Sequence, residues 1–334
     1  MGPFMADTRF AVTGIGNAIV DVLSHAGDDF LNDHSLAKGH MTLIDASTAE
    51  RLYGAMGPGV ESSGGSAANT LAGLAGLGVG ASFIGKVHAD DLGRIFAHDI
   101  RAIGVEFPTP AAETGPPTAL CLILVTPDAQ RTMNTYLGAC VELGPEDVDE
   151  AVIAASEITY LEGYLWDPPR AKEAFLKAVR VAHENARKVS LSLSDGFCVE
   201  RHRDEFRDLV ANHVDVLFAN EQEIMALYQV DEFDAALQAV RGHCEIAALT
   251  RSEHGSVIVA GDEVHVIDAE PVDHLVDSTG AGDLYAAGFL AGLVQGRNLH
   301  DCGRMGSIAA AEVVSHMGAR PEADLKALIA DRLD

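Results

Sequence analysis

Residues 277–283, DSTGAGD, set Gly280, Ala281 and Gly282 between a hydroxyl at Thr279 and a carboxylate at Asp283, and an apolar Ala- and Gly-rich run follows at once. A helix over 281–292 would carry Leu284, Ala287, Gly288 and Ala291 on one face, with the glycines at its N-terminus. A helix start offers unpaired N–H groups and a partial positive charge, which suits an anion, and glycine lets a bulky anion reach the backbone. Asp283 would then stand in the first turn beside a bound phosphate that repels it. A base that takes a proton from an attacking hydroxyl, while the N–H groups hold the migrating phosphoryl group, accounts for a carboxylate there. The alternative is that Asp283 complements the helix dipole and the glycines serve close packing.

A second glycine turn, Ser63-Gly64-Gly65-Ser66-Ala67-Ala68-Asn69, feeds the small-residue run TLAGLAGLG. Gly64 and Gly65 would let a flat or hydroxylated ligand lie on the backbone while Asn69 reaches it with an amide; a tight turn with close helix–sheet packing is the alternative. Two near-motifs fail on a single residue. GASFIGKV ends in Val87, where a phosphate loop needs a hydroxyl for Mg²⁺, and GIGNAIVD has Ile19 at the final small position of a dinucleotide turn.

The elements that position these segments follow a βαβα rhythm. Short apolar runs at 78–85, 157–161, 189–193, 214–218 and 246–249 alternate with helical patterns such as 168–186 and 199–211, which predicts a parallel sheet covered by helices on both faces. Two stretches break the rhythm. Residues 18–24 and 41–44 alternate with no long helix between them, and TALCLILVT, PDAQ and RTMNTY read as a hairpin over 118–136. These excursions predict a small β-rich lid of residues 18–65 and 118–136, over a large domain of residues 10–17, 66–117 and 137–334.

Composition narrows the function class. Against 23 Lys plus Arg stand 50 Asp plus Glu, a net charge of -27, so nucleic-acid and membrane partners are not expected. Five cysteines without a CxxC pair and 14 histidines without HExxH argue against a disulfide framework or a zinc site and suit a reducing cytoplasm. No basic segment followed by an apolar one opens the chain, so no secretory leader is expected.

SGGSAANTLAGLAGLG, FIGKVHADDLG, FANEQEI and DSTGAGDLYAAGFL, in this order along nearly the whole length, resemble the PfkB (ribokinase-like) kinase family. The resemblance departs at Ser278, where threonine is common. It implies a three-layer α/β/α domain with a mostly parallel central sheet plus a small β lid, ATP as donor, and Mg²⁺. It makes Asp283 the catalytic base and the backbone of Gly280, Ala281 and Gly282 the anion hole. Asn220 and Glu223 would organise Mg²⁺ through water, though Asn-x-x-Glu is also a capping box. Thr250, Ser252 and Gly255 would contact the nucleotide, and Asp277 and Thr279 match positions that help bind a monovalent cation such as K⁺.

Within the family the chain is most similar to the adenosine kinase branch, through GNAIVDVLS, YLEGYLWDPPRAKEAFLKAV and RTMNTYLGAC. That implies transfer to the 5′-hydroxyl of adenosine, giving AMP in purine salvage. Asn17 and Asp21 would lie at the acceptor, and an ionised Asp21 can receive two vicinal ribose hydroxyls, unless it is simply a strand-end turn residue. Arg131, at a lid tip, would cap the phosphates on closure. Tyr164, Leu165 and Phe197 would wall the base, with Met41 and Cys121 as lid contacts, unless these are core residues. His40 stands where the branch often has glutamine. That difference leaves inosine, guanosine or another riboside open beside adenosine, and a sugar kinase acting on ribose, fructose or a related sugar, and a catalytically silent nucleoside-binding protein, are the alternatives. The resemblance allows a monomer or a lid-mediated homodimer.

Overall fold

The computed structural model describes residues 8–128 and 130–333. Among them, two sheets are formed. The larger has nine strands: β1 (Phe10–Ile15), β5 (Ala81–Ile84), β6 (Val105–Glu106), β9 (Ser156–Glu162), β10 (Lys188–Ser192), β11 (Val216–Asn220), β12 (Ile246–Thr250), β13 (Ser256–Ala260) and β14 (Glu263–Ile267). Their order is β14-β13-β12-β11-β10-β9-β1-β5-β6. The smaller sheet has β2 (Ile19–His25), β3 (Met41–Leu43), β4 (Val60–Gly64), β7 (Ala119–Val125) and β8 (Arg131–Tyr136), in the order β3-β8-β7-β2-β4.

Alternation along the central strands builds a core on each face of the large sheet. In β9, Ile158 and Tyr160 join one apolar cluster and Leu161 the other; in β11, Val216 and Phe218 join the first, and Leu217 and Ala219 the second. Helices Ser66–Gly76, Ala281–Val294 and Leu299–Val313 cover the first face, and helix Pro169–Glu184 covers the second. The expected three-layer α/β/α architecture is therefore present, with strands β6 to β12 parallel in the large sheet.

The small-residue runs pack helix on helix. A methyl on Gly73 would lie 2.7 Å from the Ala287 methyl, and one on Gly288 would lie 2.3 Å from the Met305 carbonyl. Close packing thus explains the glycines inside these helices, and it draws the starts of Ser66–Gly76 and Ala281–Val294 together.

Two local expectations differ. Residues 199–211 form not one helix but two, Gly196–Arg201 and Arg203–Asn212. The break is His202, non-helical at φ -123 and ψ 26, with its ring nitrogen 2.6 Å from Asp167 Oδ1. The sheet also ends in the antiparallel pair β13–β14, joined by the two-residue turn Gly261-Asp262 with Gly261 at φ 58. No described helix is long and apolar enough to cross a membrane.

Candidate active site

Residues named by the sequence collect at the carboxyl ends of the parallel strands, where ligands bind in open α/β sheets. Asn17 follows β1, Glu162 ends β9, and Asn220 and Thr250 end β11 and β12 side by side in register. The first turn of helix Ala281–Val294 carries Asp283.

Gly280 caps that helix in the left-handed region at φ 81, and a side chain there would strike Ala319 at 2.8 Å. The Ala281 N–H turns back to the Ser278 carbonyl at 3.3 Å. Among the described residues, the N–H groups of Gly280, Gly282 and Asp283 have no acceptor, and the space above Gly282 is open. The open donors thus include Gly280 and Gly282 of the expected set, with Asp283 N–H in place of the Ala281 N–H. Asp283 Oδ1 accepts from Ser66 Oγ at 2.6 Å, and its Oδ2 accepts from Asn69 Nδ2 at 3.1 Å. Burial raises the Asp283 carboxyl above its ordinary value, opposed by these two hydrogen bonds and by Arg320. Asn69, expected to reach a ligand, thus holds the carboxylate with its Nδ2, while its Oδ1 has no partner among the described residues.

Asp21 projects from β2 beside Gly64 of β4. A methyl on Gly64 would lie 2.3 Å from Asp21 Oδ2, so the missing side chain makes the room for this carboxylate. Gly65 stands at φ 99, where a methyl would meet the Asn17 carbonyl at 2.2 Å. Burial pushes Asp21 up to about 6; Arg320 and Arg131 pull it down, and Asp283 pushes it further up. The two carboxylates therefore share one electrostatic neighbourhood. Cys121 pairs with Asp21 across β7, and burial raises its thiol to about 12.

Asn17 is buried and its Nδ2 donates to Glu162 Oε1 at 2.6 Å. Glu162 also accepts from Ala67 N at 2.8 Å, tying the turn after β1 to the start of helix Ser66–Gly76, and burial pushes its carboxyl to about 7. Sequence reasoning passed over Glu162, Ser66 and Arg320. Only Ser66, adjacent to the glycine turn, carried a local signal.

Arg131 begins β8 and is held in an ion pair with Asp277, both nearly buried, rather than standing free at a lid tip. Asp277 also accepts from Thr279 N and Gly318 N, each at 3.0 Å. Its carboxylate is thus compensated by three donors. Asn220 and Glu223 form a complete capping box: Glu223 accepts from Asn220 N at 2.8 Å and Nδ2 at 2.7 Å, while Glu223 N donates to Asn220 Oδ1 at 2.8 Å. Burial raises Glu223 to about 7.

Ser252 and Gly255, both at positive φ, bound a short turn after β12 with Thr250 at its start. Met41, Tyr164 and Phe197 are 49%, 39% and 74% exposed, and Leu165 is buried in the second core. The His40 ring is exposed and lies 2.8 Å from the Lys38 carbonyl.

Residues 39–325 match the pfkB family carbohydrate kinase pattern. The chain belongs to this family. As a pfkB kinase it is a phosphotransferase with an alcohol group as acceptor, and the family implies ATP as donor and usually Mg²⁺. An adenosine kinase from Sinorhizobium meliloti is 52% identical with a TM-score of 0.89, covering 97% of this chain and 99% of that one. A probable sugar kinase from Rhizobium etli CFN 42 is 53% identical with a TM-score of 0.90, covering 97% and 98%. An ATP-dependent ribose-1-phosphate kinase from Halopiger xanaduensis is 31% identical, over 90% of this chain and 99% of its own length.

Proposed function

We propose that this pfkB kinase transfers the γ-phosphoryl group of ATP to the 5′-hydroxyl of a ribonucleoside, with adenosine as the preferred acceptor. The observation that carries the reading is Asp283, held by Ser66 and Asn69 beside three open N–H groups and electrostatically coupled to Asp21. The similarity to the Sinorhizobium meliloti adenosine kinase supports the choice of acceptor.

In this reading Asp21 accepts the ribose hydroxyls, a task for an ionised carboxylate. Asp283 takes the 5′-hydroxyl proton as the oxygen attacks, and the N–H groups of Gly280, Gly282 and Asp283 hold the phosphoryl oxygens. Residues 18–65 and 118–136 act as a lid that excludes water, linked to the anion-binding loop through the Arg131–Asp277 pair. Among the described residues no cluster of three or more His, Cys, Asp or Glu could hold a metal. Mg²⁺ would be carried chiefly by the phosphates, and Glu223 and Asn220 would hold it through water. When bound, Mg²⁺ neutralises charge on the β- and γ-phosphates.

A sugar or sugar-phosphate acceptor is the second reading. The similarity to a ribose-1-phosphate kinase favours it. Steady-state assays with ATP and adenosine, inosine, guanosine, ribose, ribose 1-phosphate or fructose separate the two. The proposal requires adenosine to have the highest kcat/KM and AMP as product; a higher value for a free sugar or sugar phosphate rejects it.

A further inference from the structure

Residues 318–320, after helix Leu299–Val313, form a short strut that touches both halves of the site. Gly318 N–H donates to Asp277, Ala319 packs on Gly280, and Arg320 reaches the small sheet. There Arg320 Nη2 donates to the Ser63 carbonyl at 2.6 Å and to its hydroxyl oxygen at 2.9 Å. Ser63 in turn donates from N and Oγ to Asp99 Oδ2, at 2.7 and 2.6 Å. Ser63 is buried and immediately precedes Gly64, the residue that makes room for Asp21.

The rest of the guanidinium is unpaired. Its Nε and Nη1 are buried and have no acceptor among the described residues. A buried cation without a direct partner is costly and persists where surrounding negative charge compensates it. Three carboxylates act on it from three elements: Asp99 of helix Asp91–Ala102, Asp21 of β2 and Asp283 of helix Ala281–Val294. Arg131, the other nearby cation, is already paired with Asp277.

We infer that Arg320 is a positioning residue: anchored on Ser63, it supplies the shared counter-charge that keeps the acceptor carboxylate Asp21 and the base Asp283 ionised together in one cleft. The inference rests on the proposed roles of those two carboxylates. Two acids in one partly dry site raise each other's pKa, and a cation between them opposes this. Among the described residues, Arg320 is the largest cationic influence lowering Asp21 and the only one acting on Asp283. The other groups coupled to this pair are Arg131 and the thiol of Cys121 at Asp21, and Glu162, Tyr160 and Tyr164 at Asp283.

The test is the pH profile of kcat/KM, from pH 5 to 9, for the wild type, Arg320→Met and Arg320→Lys, using whichever of adenosine, inosine, guanosine, ribose, ribose 1-phosphate and fructose the wild type phosphorylates best. Arg320→Met should move the acid limb up by about one pH unit and lower kcat/KM at pH 7 by roughly tenfold. The KM for ATP should stay unchanged, and Arg320→Lys should return the limb to its wild-type position. Should Arg320→Met not fold, Arg320→Gln serves as the neutral variant with the same expected limb. An active neutral variant with an unmoved limb overturns this inference alone. A wild type that phosphorylates none of adenosine, inosine, guanosine, ribose, ribose 1-phosphate and fructose overturns the reading of Asp283, and this inference with it.

Discussion

Ser66 Oγ donates to Asp283 Oδ1 at 2.6 Å, so a hydroxyl at the start of one helix orients the carboxylate in the first turn of another, far away in sequence. The contact exists because Gly73 and its neighbours let the two helices pack closely. It fixes the direction in which Asp283 can accept a proton. Ser66→Ala should therefore lower kcat by about tenfold, the effect of one charge-assisted hydrogen bond of roughly 1.4 kcal/mol. Calorimetry should find the adenosine Kd within about twofold of wild type, since the contact serves the reaction and not ground-state binding. Equal losses in both would assign Ser66 a structural part only.

Gly64 gives a sterically simple test of the acceptor site. A methyl there would lie 2.3 Å from Asp21 Oδ2, so Gly64→Ala must displace the carboxylate. Acceptor binding should weaken by about a hundredfold, the scale of losing hydrogen bonds to a charged group, while ATP binding persists. Isothermal titration with each ligand separately decides it. Unchanged acceptor binding would place the acceptor elsewhere.

Activity and stability should respond to pH in opposite senses. Asp21, raised to about 6, and Asp283, also raised, must both be ionised to act, so kcat/KM should fall as pH drops through about 6. Glu162 and Glu223 are raised by burial to about 7 from an ordinary 4.5, so the folded state holds protons that the unfolded chain has already released. Their contribution to stability is full below about 4.5 and is lost as pH rises through about 7, up to roughly 3 kcal/mol for each. Urea midpoints between pH 5 and 8 should therefore decline, and Glu162→Gln should flatten part of that slope. A midpoint that rises over this range would contradict the burial of these groups as free carboxyls.

Much of this was legible in the chain. The alternating apolar runs marked the central strands, and DSTGAGD marked the helix start that carries Asp283. The capping-box reading of Asn220 and Glu223 is also the geometry observed. What escaped were partners brought in by tertiary packing. Glu162 ends a strand whose pattern reads only as core, and Arg320 lies in a turn with no periodic signal, yet each touches residues distant in sequence. The β13–β14 hairpin was readable in VIVAGDEVHVI, where Gly-Asp joins two alternating runs, but the surrounding parallel rhythm masked it. Exposure of Phe197 and Tyr164 could not be read from type alone, because aromatic residues are as common in cores as at binding walls.

The most direct test is the Asp283→Asn variant, compared with wild type for AMP formation from ATP and adenosine and for adenosine binding by calorimetry. The amide keeps the shape and can still accept from Ser66, but it cannot take the proton. The account predicts a kcat lower by about a thousandfold or more, with the adenosine Kd nearly unchanged. Turnover near the wild-type rate would contradict it.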